Sequence, residues 1–150
     1  MRKDNILEKI GLCEDGSKKA ASIFGKLYPD FLNEKYIRPS DLVKNYWVKY
    51  VNVKGKKEGD KALNGKIFEL ILSTVCIREN LLPLYLSAKV AFVPNVVYDL
   101  MFYTAECGPI CLSAKTSLRE RYKQADLEAI ALKYVHRKAQ SYLVTLDKKE

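Results

Sequence analysis

At Pro83 the spacing of the apolar residues changes, which limits the chain to folds that join a helical part to a strand-rich part. From Asn5 to about Ile77 they recur every three or four positions, as in Ile6 and Ile10, Ala20, Ile23, Phe24 and Leu27, and Leu42, Tyr46, Trp47 and Tyr50. Helices are predicted there, and the aromatic set around Trp47 reads as packing against a core. Pro39-Ser40-Asp41 ahead of Leu42 predicts a helix start with Ser40 as N-cap. Lys54 to Lys61 is charged and glycine-bearing and reads as a surface loop. Asn64 then leads into Lys66-Ile-Phe-Glu-Leu-Ile-Leu72, the start of a strongly apolar helix. After Pro83 the runs are strand-like: Leu84 to Val93, a turn at Pro94-Asn95, Val96 to Thr104, a turn from Ala105 to Pro109, and Ile110 to Lys115. These form an antiparallel meander. Ser117-Leu-Arg-Glu120 fits a capping box, so a helix is expected to about Arg137, and Ser141 to Leu146 supplies a fourth strand. The expected architecture is α/β with an α+β-like mixed sheet, an αβββαβ core (residues 62–150) preceded by a helical N-terminal region (residues 1–61).

A chain of 150 residues is the size of one domain. Lys and Arg total 26 against 18 acidic residues, a formal net charge of +8, which concentrates polyanions and points to nucleic acid. Uncharged stretches reach only nine residues, at Asn80 to Ala88 and Val90 to Tyr98, against the roughly 18 needed to span a bilayer. No membrane span is expected. Met-Arg-Lys-Asp-Asn is followed by no apolar run, so a cytoplasmic protein is expected. The four cysteines include one close pair, Cys107 and Cys111, and the one histidine is His136. That set reads as buried reduced thiols and not as a zinc site. It also leaves any hydrolysis to carboxylates, lysine and a metal.

A few polar residues break the apolar pattern. Glu69 lies inside Ile-Phe-Glu-Leu-Ile-Leu, where a charge is costly without a partner. Asp99 lies mid-strand, where aspartate is disfavoured. Ser113 and Lys115 leave one face of the next strand, and Arg121, Gln124 and Glu128 fall on one stripe of the next helix. Carboxylates from a helix, a strand and a second helix can thus converge on Lys115. Structural ion pairs are the alternative use of the same residues.

With this order and these residues the sequence resembles the PD-(D/E)xK nuclease superfamily, whose core is αβββαβ. Ser113-Ala-Lys-Thr-Ser-Leu-Arg-Glu-Arg-Tyr-Lys-Gln124 resembles the type II restriction endonucleases of the CCGG and CC-x-GG branch. In that branch a small residue, here Ser113, replaces the strand acid, and a glutamate on the following helix takes over. Glu128, 13 positions after Lys115, stands where that glutamate is expected. Tyr98 occupies the position where the superfamily often has proline. The resemblance implies a Mg²⁺-dependent, sequence-specific endonuclease acting on double-stranded DNA as a homodimer. It implies Asp99, Glu128 and the Ala114 carbonyl as metal ligands, Glu69 as a further one, and Lys115 as the residue acting on the attacking water. Arg119 and Arg121 can donate to guanine and Glu120 can accept from cytosine N4, with Lys123, Gln124 and Ser113 completing the DNA-contacting set. Alternatively Glu120 only closes the capping box and the arginines only neutralise phosphates. A repair or junction-resolving nuclease, or a DNA-binding protein of this fold without catalysis, would share most of these features.

Overall fold

The computed structural model describes residues 5–55, 60–119 and 122–147. They divide into two compact units, one ending at Glu79 and one beginning at Asn80.

The first unit holds α1 (Ile6–Lys9), α2 (Lys19–Leu27), α3 (Pro39–Lys54) and α4 (Lys61–Arg78). Phe24, Phe31, Ile67, Phe68 and Ile71 are almost fully buried between them. Tyr46 packs inward, its ring stacked on that of Tyr28 with centroids 4.0 Å apart, and Trp47 meets Phe68 edge-on. The aromatic set is therefore core. Two helix starts differ from the expected ones. α3 begins at Pro39, because Asp41, three residues past Arg38, accepts from the Arg38 backbone amide and from its guanidinium. Ser40 thus lies inside the helix, and proline takes the first position, where its missing N–H costs nothing. α4 starts at Lys61 and not after Asn64, because the Asp60 side chain caps the Leu63 amide at 3.2 Å.

The second unit is a four-stranded mixed sheet with one helix: β1 (Leu84–Ala88), β2 (Tyr98–Thr104), β3 (Gly108–Lys115), α5 (Tyr122–Val135) and β4 (Gln140–Thr145). The spatial order is β1-β2-β3-β4, with β1–β2 and β2–β3 antiparallel and β3–β4 parallel. A parallel pair needs a crossover, and α5 is that crossover. It packs on the sheet through Leu132, which is buried with Tyr98, Cys111, Val90 and Val93. β1 is shorter than its apolar run. Ser87 takes a left-handed φ of 48°, and Val90 and Val93 anchor a loop to the core instead of continuing the strand.

The ladders open around Asp99. β2 pairs with β3 from Leu100↔Leu112 to Thr104↔Gly108, whereas β3 continues along β4 as far as Lys115↔Thr145. On the other side the β1–β2 register passes from Leu86↔Leu100 to Ala88↔Tyr98 and omits the Ser87–Asp99 step. Asp99 therefore has no ladder partner in these registers, and it stands second in β2 and not in mid-strand as expected, at a strand end where aspartate is better tolerated. Beyond Leu112, β3 parts from β2.

Candidate active site

The carboxylate of Asp99 fills the opening between β2 and β3. Its Oδ2 accepts from the Ala114 amide at 2.7 Å and from Lys115 Nζ at 3.2 Å. A side chain thus takes the amide that a ladder carbonyl would otherwise accept. Ser113 and Lys115 lie two residues apart on β3, and the 3.2 Å contact brings Lys115 to Asp99. The ion pair is partly sheltered, with the Lys115 and Asp99 side chains 20% and 23% exposed. Both contacts fall on Oδ2, and Oδ1 carries no hydrogen bond among the described residues.

Glu128 comes to the same strand from α5. Its Oε2 accepts from Ser113 Oγ at 3.2 Å and its Oε1 from Gln124 Nε2 at 3.0 Å. The spacing of four between Gln124 and Glu128 puts both on one helix face. Ser113 itself is buried.

Tyr98 belongs to this arrangement, although the sequence marks it only by its place before Asp99. Its ring is fully buried, and its hydroxyl donates to the backbone carbonyl of Glu128 at 2.8 Å. Burial, with smaller contributions from Cys111 and Glu128, pushes the phenol up to about 12, so it stays protonated as a donor. One hydrogen bond therefore ties the residue before one carboxylate to the residue bearing the other. Asp147, just past β4, accepts from the Leu118 amide at 2.6 Å and fixes the loop after Lys115. No pattern in the sequence points to it.

The other sequence-predicted residues are less closely drawn in. Glu69 stands on α4 in the first unit and forms an ion pair with Lys66 at 2.9 Å. Arg119 is exposed, with a left-handed φ of 34°, and Lys123 is exposed on α5. Glu120 and Arg121 lie outside the described residues, and so does the Glu120 half of the expected capping box.

The donor set suits a hard divalent cation. Asp99, Glu128 and the Ala114 carbonyl offer oxygen only, and Mg²⁺ is commonly held by one or two carboxylates with waters and substrate phosphate completing its shell. No group of three or more His, Cys, Asp or Glu side chains gathers at ligand distances among the described residues. By donor type these residues suit Mg²⁺ and not a soft metal such as zinc held by thiolates.

No protein-family model matches the sequence, and no curated protein matches it. A search of solved structures finds similarity to a restriction endonuclease PspGI–substrate DNA complex, with a TM-score of 0.68 and 13% sequence identity. The alignment covers 89% of this chain and 70% of that one. The fold is restriction-endonuclease-like. No helix among the described residues is long and apolar enough to cross a membrane.

Proposed function

We propose that the protein is a Mg²⁺-dependent endonuclease of the type II restriction kind, hydrolysing phosphodiester bonds in double-stranded DNA. The observation that carries this reading is the Asp99 carboxylate held between the Ala114 amide and Lys115 at the point where two strands part. Asp99, Glu128 and the Ala114 carbonyl would hold Mg²⁺, which when bound supplies Lewis acidity toward the phosphoryl group. Lys115, charged in its ion pair with Asp99, orients the attacking water in line with phosphorus and offsets the negative charge growing on the phosphoryl oxygens, while the water's proton passes to solvent. Ser113 and Gln124 fix both oxygens of Glu128, so the carboxylate arrives in one orientation.

Glu128 takes the place of the strand acid that Ser113 lacks, which is the relocated arrangement of the CCGG and CC-x-GG branch. The hydrogen bond between those two side chains supports that assignment. Arg119, Glu120 and Arg121 read a G·C-rich site in the major groove, Lys123 contacts phosphate, and two copies cut the two strands as a homodimer. The net charge of +8 supports a polyanionic substrate. The test is digestion of a plasmid carrying random sequence, beside a branched junction, in Mg²⁺ and in EDTA. Discrete plasmid fragments in Mg²⁺ alone are expected. Cutting confined to the junction reassigns the protein to repair, and DNA binding without cutting in either condition makes it a binding protein of this fold.

A further inference from the structure

The loop between β1 and β2 holds one exposed aromatic side chain in a tight turn. The Val93 amide donates to the Val90 carbonyl at 3.1 Å, closing a four-residue turn over Ala91 and Phe92. Phe92 occupies the third position with φ of 63°, a conformation that turns normally assign to glycine and that a bulky residue rarely holds. Its ring is 87% exposed. Packing does not account for it. The turn is nevertheless pinned on three points: Val90 and Val93 are buried in the core beside Leu132, and His136 Nε2–H donates to the Ala91 carbonyl at 2.8 Å. A hydrophobic side chain held in a disfavoured conformation, facing water, on a firmly anchored turn is the pattern expected of a contact residue.

The charges around it select the partner. The segments whose contacts reach this turn, residues 89–97 and 132–139, carry Lys89, Lys133, Arg137 and Lys138 and no Asp or Glu. Lys89, Arg137 and Lys138 are exposed. A protein partner would need an acidic surface with a pocket for one ring. Nucleic acid supplies phosphates for the cations and a flat base face for the aromatic ring in every sequence.

We infer that Phe92 is a nucleic-acid stacking residue, flanked by Lys89, Arg137 and Lys138 as phosphate contacts. This rests on the endonuclease reading and extends it to a contact away from the cut. Phe92 would grip the duplex at an unstacked or deformable step.

Phe92→Gly makes the test clean, because glycine accepts the positive φ without strain and removes the exposed side chain whole. Anisotropy titrations with labelled random-sequence duplex are expected to show about a tenfold loss of affinity for Phe92→Gly, roughly 1.4 kcal/mol, with no fall in melting temperature. Phe92→Trp should retain wild-type affinity. The Arg137→Ala, Lys138→Ala double variant should make the slope of log affinity against log salt shallower by about two. Wild-type affinity in Phe92→Gly, while the wild-type protein still cuts DNA, overturns the stacking role and leaves the nuclease reading intact. If Phe92→Gly instead dissociates a dimer in sedimentation without changing DNA affinity, the turn is a protein contact and the inference is equally overturned. A wild-type protein that binds no duplex sinks both.

Discussion

Replacing Tyr98 with Phe removes one oxygen atom and tests whether the second strand sets the position of Glu128. The Tyr98 ring is fully buried, and Phe keeps its volume, so no cavity forms. What is lost is the hydroxyl that donates to the Glu128 carbonyl at 2.8 Å. That carbonyl lies inside α5 and retains its place in the helical ladder, so the cost is that of one neutral hydrogen bond, about 1 kcal/mol. The corresponding drop in melting temperature is roughly 2–4 °C if the whole chain melts together and about 4–8 °C if the second unit melts alone. The functional effect is separate. Glu128 is held by Ser113 and Gln124 at its carboxylate and by Tyr98 at its backbone, and in the proposed metal role loosening the backbone should lower affinity for the metal. Calorimetry alongside plasmid cleavage across a Mg²⁺ series should show a modest stability loss, with half-maximal cleavage moved several-fold higher in Mg²⁺ and the rate at saturating Mg²⁺ largely kept. Destabilisation with an unmoved Mg²⁺ dependence would refute the reasoning and make the hydrogen bond purely structural.

Glu128→Gln should also raise the Mg²⁺ requirement, and more strongly, while Ser113→Glu combined with Glu128→Ala should restore part of the cleavage lost in Glu128→Ala by returning the carboxylate to the strand; normal cutting by Glu128→Gln across the titration rejects the relocation. Burial pushes the Cys76 thiol up to about 11 and Cys111 up to about 12, so both should resist a thiol reagent at neutral pH in the native protein, with the half-buried Cys13 and Cys107 reacting before them; fast labelling of Cys111 in peptide mapping would contradict the packing of the sheet on α5. Tyr98 is raised from its ordinary 10 to about 12, and Tyr28, Tyr46 and Tyr50 are raised too, chiefly by burial. A raised phenol contributes stability below pH 10 that is lost as pH climbs through its folded value, so unfolding titrations should show stability falling above about pH 10, less steeply in Tyr98→Phe.

The fold was largely legible in the sequence because its main signals are local. The change in apolar spacing at Pro83 separates helices from strands, and Ser113 and Lys115 share a face because alternation along a strand is short-range geometry. The same signals overextended β1, since Val90 and Val93 are apolar for anchoring a loop, and periodicity does not distinguish that use from a strand. The start of α3 moved because Asp41 could serve its own helix, and proline marks a first turn as well as a boundary. Tyr98 and Asp147 escaped notice because their roles depend on partners 30 and 29 positions away. Glu69 looked anomalous in an apolar run, but Lys66 lies one helical turn back and partners it.

Cleavage and binding by Lys115→Ala, measured together on one duplex, test the central claim most directly. Lys115 pairs with Asp99 at 3.2 Å and makes no other hydrogen bond among the described residues. Its removal should leave the Ala114 amide on Asp99 and the DNA-binding surface in place. Removing one such charge-stabilising group costs on the order of 10²–10³ in rate, so cleavage should fall by at least that factor while duplex affinity stays near wild type. Cleavage by the alanine variant at a rate near that of the wild type would contradict the account and remove Lys115 from the chemistry.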